Sequence, residues 1–505
     1  MGLGRAVTVS LLGVAGHVVD VEADIAGGLP AMTIVGMGDM AVAQAKDRVH
    51  AAVLNSGFRW PQHRITVSLA PAGIHKRGAG FDLAIAVAVL AAAGDVPADA
   101  SSGPVLIGEL GLDGSVRPVS GVLPCLLAAA AAGRTEAIVA ERNLAEASLA
   151  RGLRVRSVAC LADVIAHFHG MPGLLREPAP EVPVARTSVP DMADVLGQPE
   201  ARFALELAAA GGHHLAMIGP PGAGKTMLAA RLPGLLPPLT EDQALQVTAI
   251  HSVAGTLDPD TPLITTAPFV DPHHSASLVA MVGGGSGDIR PGSVSLAHRG
   301  VLFLDESPEF KPAVLDALRQ PMESGSVLVM RAKQMARFPA RFQLVLAANP
   351  CPCAAARDID CTCPSGVRRR YLGRLSGPLL DRVDIRVDLP AVDAMALTGD
   401  CEPQEPSSVI AQRVAAARDR AAFRWREYGY ACNAEASGPQ VREWWHDRFP
   451  RPLLLERAMR LGRLTARGHD RVLRLALTAT DLADRGRPGD ADVAMALALR
   501  CGEAA

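Results

Sequence analysis

Aromatic side chains are scarce in this 505-residue chain, at 4% of its composition, with three tyrosines and four tryptophans. Long apolar runs are lacking as well. The longest, Leu83 to Ala93, falls well short of the roughly 20 residues that a membrane span needs. Val7 to Val14 has neither a basic start nor a small-residue cleavage site, and acids follow at Asp20 and Glu22, which argues against a signal peptide. Ala6 stands where an N-myristoylation motif requires Ser or Thr. No charge sign dominates: 50 Lys and Arg face 52 Asp and Glu, for a net charge of −2. Binding to nucleic acid through an overall basic field is thereby excluded, and any such contact must come from a local basic surface. These absences lead us to expect a cytoplasmic protein with no membrane partner, in which the nine cysteines stay reduced. Apolar residues are plentiful, at 49%, and at this length they can fill the cores of about three domains.

The most informative stretch is His214 to Ala229, HLAMIGPPGAGKTMLA. A short apolar strand, Leu215 to Ile218, runs into a glycine-rich turn, and a helix opens at Lys225. Gly219, Gly222 and Gly224, with Pro220, Pro221 and Ala223 between them, fit the spacing G-x-x-x-x-G-K-[ST]. The glycines let the loop turn its backbone N–H groups onto a phosphate, and the helix N-terminus adds unpaired N–H groups of its own. Lys225 would then reach the β- and γ-phosphates of ATP, Thr226 would place its hydroxyl on Mg²⁺, and Met227 continues the helix. A second strand, Val301 to Leu304, has the continuous apolar character of a buried parallel strand and ends in two carboxylates. Asp305 would hold Mg²⁺ through water and Glu306 would deprotonate the attacking water. A third strand, Phe342 to Ala348, delivers Asn349 beside the γ-phosphate. Arg382, after the short run Leu379-Leu380-Asp381, fits a finger inserted by a neighbouring subunit.

Before this core, residues 1 to 170 read as α+β: strands near Val7, Val18 to Ile25, Met32 to Val35 and Ile65 to Leu69, and helices over Ala41 to Ser56 and Phe81 to Ala93. The order resembles the proteolytic domain of Lon, a ribosomal-protein-S5-like fold, and His75 to Gly94 resembles the Lon segment with the nucleophilic serine. Here Gly80 occupies that place, which argues against proteolysis; Ser68 and Lys76 are the remaining candidates for a Ser–Lys dyad. Residues 171 to 190 are a proline-rich linker. Gly197-Gln198 follows it, placed to lie against an adenine. The insert Asp271 to Gly300 carries His273, His274 and His298, for which packing near the nucleotide is a better reading than metal. Pro308 to Glu323 reads as a helix, followed by a hairpin with Arg331 and Lys333 at its tip.

Cys351, Cys353, Cys361 and Cys363 form two C-x-C pairs. Four thiolates can close a tetrahedral Zn²⁺ site, although C-x-C is tighter than the common C-x-x-C, and reduced structural cysteines are the other reading. The basic run Arg368 to Arg370 follows. From 396 to 505 the chain reads as a polar linker and then helices, with Arg471 and Arg474 on one helix face, where an arginine could contact the γ-phosphate.

The stretches GGHHLAMIGPPGAGKTMLAARLPGLLPPL, DPHHSAS, LAHRGVLFLDESPEF, LAANPCPCA, RRYLGRLSGPLLDRVD and LTARGHDRVLRLAL resemble the magnesium-chelatase-like AAA+ ATPases of the bacterial competence protein ComM/YifB family over nearly the whole chain. The resemblance implies an α/β fold: an AAA+ P-loop ATPase core (191–395) between a Lon-protease-like N-terminal domain (1–170) and a C-terminal helical lid (396–505). It implies Asn349 as sensor 1, Arg382 as arginine finger and Arg471 as sensor 2. It further implies a ring, as a hexamer, that moves single-stranded and branched DNA in natural transformation alongside a recombinase. A chelatase-type motor remodelling a partner protein is the alternative.

Overall fold

The computed structural model describes residues 2–36, 38–76, 78–97, 103–171, 173–179, 189–285, 289–331, 334–355, 360–391 and 404–502. The fold is α/β, and its second sheet is parallel throughout. The amino-terminal region is a mixed seven-stranded sheet with helices. Its elements are β1 (Leu3–Leu12), β2 (Ala15–Ala26), β3 (Ala31–Val35), α1 (Met40–Asn55), β4 (Arg64–Ala70), α2 (Asp82–Ala93), β5 (Val105–Ile107), α3 (Val122–Ala131), β6 (Glu136–Ala140), β7 (Arg154–Val158) and α4 (Leu161–Phe168). The strand order is β3-β4-β2-β1-β5-β6-β7. Period-two patterning sets β2, where Val19, Val21, Ala23 and Ile25 are buried and Asp20 and Asp24 are exposed. Helix α2 is apolar on every side and accordingly buried on every side from Leu83 to Ala92. Its one acid, Asp82, is buried too, and the Arg48 guanidinium grips it with two bonds of 2.6 and 2.9 Å.

No Ser–Lys dyad assembles here. Lys76 is fully buried and donates to the Pro71 carbonyl, with no bond to Ser68 among the described residues. Gly80 lines a cavity of about 340 Å³ together with Glu109, Ser120 and Arg290, so the expected nucleophile position carries no hydroxyl.

The central region follows with α5 (Pro199–Gly211), β8 (Leu215–Ile218), α6 (Lys225–Ala229), α7 (Glu241–Ala254), β9 (Phe269–Val270), β10 (Val301–Leu304), α8 (Arg319–Ser324), β11 (Ser326–Arg331), β12 (Gln334–Pro339), β13 (Gln343–Ala348), α9 (Ser365–Leu372), α10 (Gly377–Leu380) and β14 (Ile385–Asp388). Five strands pair in parallel in the order β9-β10-β13-β8-β14. Both faces of this sheet are covered, which is why β10 and β13 are buried at every position. The helix expected over Pro308 to Glu323 is broken. Pro312 forces Lys311 into an extended conformation (ψ 134°), leaving a turn at Ser307–Glu309, a short helix at Pro312–Ala317, and then α8. Among the described residues, five α-helices follow: α11 (Ser407–Arg424), α12 (Gly438–His446), α13 (Leu453–Arg460), α14 (Ala466–Leu482) and α15 (Asp490–Cys501). They share one apolar core with α5 and β8, which includes the fully buried Trp425.

The amino-terminal sheet and the central region interlock along α7. Ala249 of α7 belongs to the apolar cluster of Val122, Leu126 and Val139. The Ser252 carbonyl accepts from Gly121 N at 3.2 Å, and the Ser252 hydroxyl donates to buried Glu146. In the opposite direction, Leu12 and Val14 pack against the cluster containing β11 and β12. Between them Gly13 takes φ +67°, and a Cβ there would stand 3.2 Å from the Arg337 carbonyl oxygen of β12. Glycine is required on both counts.

Candidate nucleotide site

Strand β8 ends at Ile218, and the chain turns through the phosphate loop into α6 as the spacing predicts. Gly222 and Gly224 take φ of +79° and +90°, conformations that side chains resist. At Gly219 a Cβ would meet the Leu389 carbonyl oxygen at 2.6 Å. The Lys225 ammonium is held between the Gly219 carbonyl at 2.6 Å, the Pro220 carbonyl at 2.9 Å and Asn349 Oδ1 at 3.0 Å. Burial lowers its pKa, against the pull of Asp305 and Glu306. The lysine and the strand-end amide expected to flank the γ-phosphate are therefore already in contact. Gln198 takes φ +54° and joins the same loop, its Nε2 donating to the Pro390 carbonyl at 2.7 Å and to Ala223 O at 3.4 Å.

Asp305 and Glu306 leave β10 at the same end of the sheet. The Thr226 hydroxyl donates to Asp305 Oδ2 at 2.7 Å. This hydroxyl–carboxylate pair has the all-oxygen chemistry that Mg²⁺ prefers, so the residues fit the ion. Glu306 takes φ +47°, and its half-exposed carboxylate lies against His274, at Nδ1–Oε2 3.2 Å. His273 lies against His274 in a tilted ring pair, with centroids 4.1 Å apart. The sequence reading kept these histidines near the nucleotide but did not pair one with the Glu306 carboxylate. The signal is DPHHSAS itself: in chain order it directly follows β9, the strand next to β10.

The two candidate arginines lie elsewhere. Arg382 precedes β14, is buried, donates to the Pro378 carbonyl at 2.7 Å and forms an ion pair with Glu323 of α8. Arg471 pairs with Asp384, whose amide donates to the His214 carbonyl at 3.1 Å, level with the start of β8. Both arginines thus sit at the amino ends of the parallel strands, with the phosphate loop at the carboxyl ends. Arg471 as a sensor of its own chain's γ-phosphate is corrected on this ground: the length of β8 separates the two. Asp384 is the hub at that end. Burial alone would raise its carboxyl, but Arg471 and His213 outweigh that and hold it well below the usual range.

Burial also pushes His214 down to about 4 and His298 down to about 3. His298 Nδ1 accepts from Arg341 N at 3.0 Å, which requires the neutral ring. A histidine depressed in the fold contributes stability that is fully present above the unfolded value near 6.5 and lost as pH falls towards the folded value. Each unit of pH lost in that window costs about 1.4 kcal/mol per group. Asp82, pushed up to about 6 chiefly by burial, works in the opposite sense over part of it. The melting temperature is therefore expected to depend less steeply on pH between 7 and 5 in His298→Gln than in the parent protein; parallel melting profiles would refute this.

The four cysteines converge. Cys351 Sγ lies 3.1 Å from Cys353 and 3.3 Å from Cys361, Cys353 lies 3.5 Å from Cys361, and all four sulfurs fall within 4.8 Å of one another. A Zn²⁺ tetrahedron with Zn–S near 2.3 Å needs sulfurs about 3.8 Å apart, so the donor set fits the ion. At the hairpin, Lys333 lies outside the described residues; Arg331 ends β11, paired with Gln334. Arg369 and Arg370 are exposed on α9. Among the described residues no helix is long and apolar enough to cross a membrane.

Comparison with known proteins matches three family models in succession: "Subunit ChlI of Mg-chelatase" at 21–143, "Magnesium chelatase, subunit ChlI" at 191–397 and "Magnesium chelatase, subunit ChlI C-terminal" at 404–500. The uncharacterized protein Rv2897c of Mycobacterium tuberculosis is 52% identical over 99% of both chains. YifB of Escherichia coli, also uncharacterized, is 41% identical over 95% of this chain and 94% of its own. Competence protein ComM of Haemophilus influenzae is 38% identical over 97% and 96%. With this phosphate loop, this carboxylate pair and these whole-length similarities, the chain belongs to the magnesium-chelatase-like ComM/YifB family.

Proposed function

We propose that the protein is an ATP-driven motor on DNA, a branch-migration helicase that works as a hexameric ring and promotes integration of DNA by recombination in natural transformation. The family's ATPase domain implies ATP hydrolysis, with Mg²⁺ as its ion. One observation carries the ring: Arg382 and Arg471 stand at the strand ends opposite their own phosphate loop, so a second copy has to bring such charges to the nucleotide. The similarity to a competence protein supports the DNA substrate and a recombinase as working partner. The four thiols would hold Zn²⁺ as a structural ion. The amino-terminal domain fits a Lon-like fold without its chemistry, and the cytoplasm is the compartment that suits all of this. Comparing ATPase stimulation by forked, four-way and single-stranded DNA tests the reading; no stimulation by any of them would overturn it. The family models favour a second reading, a chelatase-type motor that remodels a partner protein, and it predicts that outcome.

A near-neutral chain must concentrate its DNA contacts, and a ring multiplies a few basic residues into a positive channel. The hairpin β11–β12 is our choice for that surface. Replacing Arg331 and Lys333 together with alanine is expected to abolish DNA-stimulated ATPase and unwinding while basal ATPase survives. Phosphate contacts make the wild-type binding sequence-tolerant and steeply weakened by salt. A double variant that still moves DNA would make the hairpin a structural rib and turn attention to Arg368 to Arg370.

A further inference from the structure

The thiol cluster sits on the ATPase site's own strand. Asn349, which accepts from Lys225 Nζ, is the first residue after β13, and Cys351 is the second residue beyond it. Cys351 is 2% exposed and turns the chain immediately, its carbonyl accepting from Ala354 N at 3.2 Å. The other C-x-C pair ends at Cys363, two residues before α9 begins at Ser365. After α9, Arg374 binds the Pro308 carbonyl at 3.2 Å and Glu309 at 3.0 Å, in the segment that follows Asp305-Glu306. The four sulfurs thus draw together the end of the strand that carries Asn349 and the start of a helix tied to the carboxylate segment.

We infer that Zn²⁺ bound by Cys351, Cys353, Cys361 and Cys363 is a clamp that positions Asn349, so that metal occupancy controls the rate of ATP hydrolysis while leaving ATP binding intact. This rests on the zinc reading above. The physical basis is local. Asn349 and Pro350 are only half buried, beyond the last residue of β13. Past that point the strand ladder no longer fixes the backbone, and the next anchor along the chain is the cluster. A bound ion supplies binding energy that holds the loop in one arrangement. Without it the amide wanders by the ångström that separates an aligned water from a misaligned one. Nucleotide affinity depends instead on the phosphate loop and Lys225, which are built on β8 and α6.

The experiment uses full-length protein purified without chelators. Metal analysis is expected to find one equivalent of zinc per chain, and Co²⁺ exchanged into the site is expected to give the intense absorption of tetrahedral thiolate coordination. Stripping the metal, or replacing Cys353 and Cys361 with serine, is expected to lower ATP turnover about tenfold, a fraction of the ~10²–10³ lost when one preorganised polar group is removed outright. Nucleotide affinity should stay unchanged within the error of the titration, and zinc should restore turnover to the stripped protein. In Asn349→Ala, stripping the metal should change turnover no further. Zinc below a tenth of an equivalent and no Co²⁺ absorption would overturn the zinc reading itself. A full equivalent whose removal leaves turnover unchanged would overturn the clamp alone. So would loss of nucleotide binding along with turnover, or a continued response to metal in Asn349→Ala.

Discussion

Glu306→Gln protein is expected to bind ATP with near-normal affinity and to hydrolyse it about 10²–10⁴-fold more slowly, the usual contribution of a general base. The geometry separates the two functions. The groups proposed to face the phosphates are Lys225 and the loop backbone, and the proposed metal pair is Thr226 with Asp305, joined at 2.7 Å. The Glu306 amide donates to Asp305 Oδ1 at 2.8 Å, but among the described residues its carboxylate bonds neither pair and is engaged by His274. Glutamine keeps the size and loses only the basicity. Fluorescent-nucleotide titration beside phosphate release reads both quantities, and turnover within tenfold of the parent protein would sink the assignment. We propose that His274 orients this carboxylate through the same contact.

Arg382→Ala is expected to lower turnover by about 10³-fold or more, the range found when an arginine finger is lost. Because Arg382 lies at the far end of the sheet from its own phosphate loop, the loss should be repairable by another chain. Lys225→Ala protein, unable to hold nucleotide, still carries Arg382. Mixed with Arg382→Ala protein, it should restore part of the activity by facing the intact phosphate loops of its neighbours. Absence of rescue over a range of mixing ratios would place the finger elsewhere, with Arg471 the next residue to test. To act in trans, Arg382 has to exchange Glu323 for a phosphate.

The phosphate loop, β10 and β13 were legible in the sequence because their chemistry is local. Glycine spacing, an apolar run and a strand-end carboxylate each act within a few residues. The thiol cluster was legible as a donor set, since the two C-x-C pairs lie so near in the chain. Arg471 was not, for a plain reason: i, i+3 spacing with Arg474 places two arginines on one helix face but does not say which end of the sheet that face meets. Only the pairing of Asp384 with His214 settles it, and that contact spans 170 residues. The His274–Glu306 contact likewise joins segments on adjacent strands. The broken helix at Lys311 was within reach, because a residue before proline resists the helical conformation.

Gly13 has a mechanical consequence. The β1–β2 turn presses on the carbonyl side of β12, so the hairpin proposed to grip DNA is backed by the amino-terminal sheet rather than free to swing. A stroke that moves the hairpin must either slide the turn across Arg337 or carry the whole seven-stranded sheet with it. On the proposed function, the amino-terminal domain would act as ballast and lever together. Cutting it away would bare Ala249, Leu12's packing surface and the seam around Ser252, and would change the stiffness of the hairpin before it changed anything at the nucleotide.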